Sequence, residues 1–73
     1  MDFVLHGERG LRAFEVKRSH VVRNEDLRPL RRFLDDYPMA KAHLLHLGER
    51  RWHDRGIEVL PLAECLVGLD RRL

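Results

Sequence analysis

One cysteine, Cys65, stands in the whole sequence, which excludes an internal disulfide and a cysteine-based zinc cluster. With thiols this sparse, the expected compartment is reducing, hence cytoplasmic. Three prolines and five glycines are too few for a low-complexity chain, and no repeat or linker is visible. No apolar run approaches the roughly 18 residues of a membrane-spanning helix, so no membrane partner is expected. No basic stretch followed by an apolar one opens the sequence, and a signal peptide is not indicated. A glycine-rich loop ending in Lys-Ser or Lys-Thr is missing too, so no ATP-binding site is expected in this chain. Charge of one sign is not in large excess. Fourteen Lys and Arg against 12 Asp and Glu leave +2, too weak a field to imply a nucleic-acid partner by itself.

What is there is one small domain of 73 residues, 44% hydrophobic and 36% charged. A chain of this size buries only about 60% of its unfolded surface and is marginal unless it is stapled or associates. Twelve of the 14 cations are arginine, a side chain that pairs bidentately with phosphates and carboxylates. Coding bias and solvated faces account for such an excess equally well.

The chain opens with a short β-prone run, Asp2 to His6, and a second follows from Leu11 to Lys17. Gly7-Glu8-Arg9-Gly10 between them reads as the turn of a β-hairpin. Asn24 or Asp26 can cap a helix whose apolar stripe is Leu27, Leu30, Phe33, Leu34 and Tyr37. Pro29 places its start close to Asp26, and Tyr37-Pro38 ends it. On its outer side, Arg31 with Asp35 and Arg32 with Asp36 are spaced as ion pairs. Lys41 to Leu47 is a mostly apolar run of strand length, suited to a strand covered on both faces. Glu49 to Arg55 reads as a polar loop and Ile57 to Leu60 as another strand. Pro61 opens a final helix from Leu62 to about Leu69, with Leu62, Leu66 and Leu69 on one side. The order is β-β-α-β-β-α. It predicts an α/β fold, a small mixed β-sheet with one main helix, a short C-terminal helix and a parallel crossover.

The hairpin carries a geometric expectation. With Gly7 to Gly10 as the loop, His6 faces Leu11, Val4 faces Ala13 and Asp2 faces Glu15. Directly opposed residues share a face, with Cβ atoms roughly 4.5–5.5 Å apart, and Lys17 points to that face as well. Phe3, Leu5, Phe14 and Val16 take the other face, which reads as the core side. A one-residue slip would send Asp2 to the wrong side. Two close carboxylates beside an ammonium suit a hard divalent cation. Magnesium is held by one or two carboxylates, with water and phosphate oxygens completing its shell. Such an ion acidifies a bound water and neutralises charge developing on phosphate. The competing reading is weak ion pairing on an exposed strand face.

The series Asp2-Phe3-Val4, Phe14-Glu15-Val16-Lys17-Arg18-Ser19, Asp26-Leu27-Arg28-Pro29-Leu30-Arg31-Arg32-Phe33, Leu44-Leu45-His46-Leu47-Gly48 and Ile57-Glu58-Val59-Leu60-Pro61-Leu62 resembles the C-terminal domain of a large group of prokaryotic AAA-type ATPases. That domain in turn resembles the PD-(D/E)xK, restriction-endonuclease-like superfamily. The resemblance implies that Asp2 and Glu15 are metal ligands, that the metal is Mg2+, and that Lys17 is the catalytic lysine. The implied activity is phosphodiester cleavage on DNA or RNA. Many superfamily members have lost catalysis, so the alternative is a catalytically inactive interaction or oligomerisation module. Residues 1–73 are then one nuclease-like domain, lacking the helix and strand that precede the aspartate in the family. Their loss would bare a strand edge, and a homo-oligomer, most simply a two-fold dimer, is expected.

Other residues are weaker candidates. His43 and His46 are oddly spaced and fall on opposite strand faces. His6 shares the Asp2 face but reads as an exposed strand end. His20, Arg18 and Ser19 follow the Glu-x-Lys run closely enough to meet phosphate, although a connector role explains them too. Arg50, Arg51, Trp52, His53 and Arg55 mix charge with an aromatic, as single-strand binders do. Trp52 more simply covers an apolar patch. Cys65 reads as a small buried residue.

Overall fold

The computed structural model describes residues 2–8 and 10–67, with the side chains of 66 and 67 left aside. Strands β1 (Phe3–Gly7) and β2 (Gly10–Val16) form the expected hairpin. From Phe3 to Gly7 its register is the expected one, with Val4 facing Ala13, His6 facing Leu11, and Gly7 facing Gly10 across the turn. The expected Asp2–Glu15 step is not part of the ladder, because the Asp2 amide donates to the Phe14 carbonyl instead. Arg9, at the tip, lies outside the described residues.

A 3₁₀ turn, Asn24–Leu27, leads into helix α1 (Arg28–Asp36). Pro29 is thereby the second helical residue, where its missing amide costs nothing. Tyr37 closes the helix by donating its amide to the Phe33 carbonyl at 2.9 Å, and Pro38 prevents continuation. The helix returns the chain to β3 (Lys41–His46), which pairs parallel with β2. β5 (Ile57–Pro61) pairs parallel with the other edge of β3. α2 (Leu62–Val67) follows directly. The expected helix side formed by Leu66 and Leu69 lies outside what is described.

One element departs from expectation. Within the stretch read as a loop, Trp52–His53–Asp54 forms β4, antiparallel to the outer edge of β5. The sheet is therefore five-stranded, in the order β1-β2-β3-β5-β4. Pairing by backbone alone is enough to make so short a strand, and its charged side chains leave no alternating pattern to read.

Both faces of the sheet are covered. Under α1 lie Ala13, Ala42, Leu44, Ile57 and Val59 with Leu27, Leu30 and Phe33 of the helical segment. The opposite face packs Phe14, Leu45 and Leu60 against Cys65 of α2. This corrects the expected sidedness. The larger core lies on the Ala13–Glu15 side of the hairpin, because the crossover lays the helix's apolar stripe there. Phe3, expected in the core, is 45% exposed at the sheet's edge.

A candidate cleft at the carboxyl end of β2

Glu15 is half-buried at the end of β2, one step past the buried Phe14. Its neighbour on β3 is the fully buried Leu44. Beyond the strand proper, the Lys17 amide donates to the Leu45 carbonyl at 2.8 Å, and the Leu47 amide donates to the Ser19 carbonyl at 3.0 Å. The main chain carrying Lys17 is thus tied to the central strand, and its side chain starts from a fixed base.

Glu15, Val16, Lys17 and Arg18 form one wall of a cleft of about 400 Å³. Glu25, Asp26 and Pro29 form the other, with Leu44 between them. The crossover explains this company. A chain leaving β2 and turning back over the sheet must pass the strand's carboxyl end just before its helix begins. The acidic pair Glu25-Asp26, of which Asp26 reads from sequence as a candidate helix cap, therefore comes to face Glu15 and Lys17.

Lys17 has a partner there. Its Nζ lies 2.7 Å from Asp26 Oδ2, and the same oxygen accepts the Arg23 amide at 2.7 Å. Burial by itself raises the Asp26 pKa, yet the net shift is downward. The Lys17 hydrogen bond, the Arg23 amide and the charges of both residues outweigh desolvation.

Asp2 is exposed, beside the open end of the hairpin. Its amide donates to the Phe14 carbonyl at 2.9 Å, and its carboxylate Oδ2 accepts the Val16 amide. The side chain thus lies along the β2 backbone and does not line the cleft. Of the three residues singled out from sequence, the cleft brings Glu15 and Lys17 together, while Asp2 holds the adjoining main chain.

A family model described as a domain of unknown function, DUF4143, matches residues 1–65. The chain belongs to the DUF4143 family. No curated protein and no solved structure matches it.

Magnesium, which the resemblance implies, can be tested against the donors of this DUF4143 chain. Asp2 lies just before β1, with its carboxylate on the Val16 amide, whereas Glu15 stands on β2 and lines the cleft. Among the described residues no group of three or more His, Cys, Asp or Glu could hold a metal ion. A hard ion approached through Glu15 would therefore take most of its ligands from water and substrate phosphate, as magnesium does.

The secondary candidates are structural neighbours. His46 contacts the Arg50 carbonyl through Nε2 at 2.8 Å and accepts the Gly48 amide at 2.9 Å. Gly48 is required there, since a Cβ would come within 2.9 Å of the His20 carbonyl oxygen. Ser19 Oγ accepts the Val21 amide, and His6 is exposed. Trp52 packs against the α1-side core and the His46 ring, with Arg50 over its face. Cys65 is buried, as expected. No described helix is long and apolar enough to cross a membrane.

Proposed function

We propose that this chain is a metal-dependent nuclease-like domain that cleaves phosphodiesters in DNA or RNA, akin to the PD-(D/E)xK domains at the C-termini of AAA-type ATPases. The observation that carries the reading is the hairpin register, with Phe3 opposite Phe14. Strand alternation then puts Glu15 and Lys17 on one side of β2, where they share a cleft, with Asp2 just beyond the last paired residue of β1. Asp2 and Glu15 would hold magnesium, which when bound supplies positive charge for the phosphate and a more acidic water. Lys17 orients the attacking water and offsets charge growing on the phosphate oxygens. Asp26 holds the Lys17 side chain extended across the cleft until substrate competes for it.

Magnesium or manganese titrated into the chain should shift the amide signals of Asp2, Glu15 and Val16 in a saturable way. Plasmid nicking should then fall at least tenfold in Glu15→Ala and Lys17→Ala. Absence of a metal response, or nicking indifferent to both changes, refutes catalysis.

A second reading has its own observation. Lys17 is already neutralised by Asp26, and Asp2 already serves the backbone. Both contacts suit an inactive interaction module in which the cleft is a joint between hairpin and helix. In either reading we propose that two copies associate through β1, an edge strand on which Phe3 and Val4 are 45% and 42% exposed.

A further inference from the structure

One row of side chains crosses the whole sheet on the α2 face. Phe3 lies opposite Phe14, Phe14 beside His43, His43 beside Glu58, and Glu58 opposite His53. The rings of Phe3, Phe14 and His43 stack at 4.8 Å spacings. His43 Nδ1 is 2.9 Å from Glu58 Oε1, and His53 Nε2 is 3.9 Å from Glu58 Oε2.

Arg12 enters this row from the side. It is 9% exposed, and its Nη1 lies 3.3 Å from His43 Nε2. Proton accounting fixes the imidazole. A guanidinium only donates, so Nε2 accepts and Nδ1–H donates to Glu58. His43 brings no negative charge to Arg12. Among the described residues Arg12 is in no ion pair. Its Nε is buried and has no hydrogen-bond partner. A buried cation in that condition is costly, and a counter-anion relieves it.

Space for one adjoins it. A cavity of about 480 Å³ opens at the amino ends of β3 and β5, lined by Arg12, Lys41, His43, His53 and Glu58 among others. Lys41 is exposed and sits beside Arg12 in the β2–β3 register. Glu58, the carboxylate in the lining, faces His43 and His53 with its two oxygens, so the Arg12–Lys41 side of the cavity is the electropositive one. A guanidinium offers a fork of donors that matches two oxygens of a phosphate group.

We propose that this cavity is an oxyanion site, with Arg12 as anchor and Lys41 at its mouth, taking a phosphate ion or a terminal phosphate ester. It lies at the opposite end of the parallel strands from the Glu15–Lys17 cleft and stands independently of the nuclease reading.

The test is a titration of the chain, followed by NMR at constant ionic strength. Inorganic phosphate and phenyl phosphate form separate arms, which tell a free ion from an esterified group. Saturable shifts of the Arg12 side-chain Nε–H and the His43 ring with either ligand, and none with chloride, are expected. Arg12→Lys, which keeps the charge but loses the fork, should weaken binding at least tenfold. Because Arg12 is buried, Lys41→Ala provides a second variant on exposed surface, with an expected loss of about threefold. Shifts that do not saturate, equal shifts with chloride, or affinity unchanged in both folded variants would overturn the proposal.

Discussion

Asp26 shows how a single carboxylate can hold a cleft in shape. One of its oxygens receives both the Lys17 ammonium and the Arg23 amide, and its pKa lies below the ordinary value of 3.8. A depressed folded pKa means that this stabilisation is complete above the ordinary carboxylate range and is lost as pH falls through the folded value. Asp26→Asn should therefore lower stability at neutral pH by about 0.5–1 kcal/mol. Urea denaturation checks this. The gap between wild type and variant should close well below the ordinary carboxylate range, and a gap that persists there would refute the electrostatic account. At this scale Glu15 and Lys17 were legible, because strand alternation alone puts them on one side. Asp26 was not, because its role depends on a nine-residue separation in sequence closing through a turn that no short pattern encodes.

At the scale of elements, the β4–β5 connection is the informative one. Arg55 and Gly56 both have positive φ, 51° and 86°, which a two-residue hairpin turn of the mirror-image type requires. Glycine adopts that geometry freely, whereas arginine does so at a cost. Arg55→Asn gives the preferred Asn-Gly pair and should stabilise by up to about 1 kcal/mol, read as a higher Tm. A lower Tm would mean that Arg55 contributes something the turn geometry does not explain. β4 is also pinned from outside the sheet. Arg31 Nη2 reaches Asp54 Oδ2 at 2.6 Å and Asn24 Oδ1 at 2.7 Å. The expected Arg31–Asp35 and Arg32–Asp36 pairs do not occur among the described ion pairs, because Asp54 offers Arg31 a half-buried partner across the fold. Asp54→Ala should cost about 1.5–3 kcal/mol and speed hydrogen exchange at the β4 amides. Exchange unchanged there would show that strand pairing suffices without the arginine. The hairpin, the main helix, the central strand and the parallel crossover were legible from periodicity and turn residues. β4 was not, since three charged or aromatic residues carry no period.

At the scale of the molecule, the two edges of the sheet differ. β4 is short and pinned, while β1 offers an open edge with exposed Phe3 and Val4. Such an edge favours pairing with another chain. Light scattering behind size exclusion should give a dimer mass, and Val4→Lys should shift it to monomer. A monomer mass for the unmodified chain at high concentration would exclude pairing through β1. The two-sided core was only half legible, because a hairpin read alone does not reveal which of its faces a later helix will cover. Trp52, the single tryptophan, sits on the pinned edge beside His46, the full width of the sheet away from β1. Its fluorescence is therefore a local reporter. Assembly along β1 should leave the emission unchanged, whereas peeling of β4 should quench or red-shift it, so one optical signal separates loosening from association.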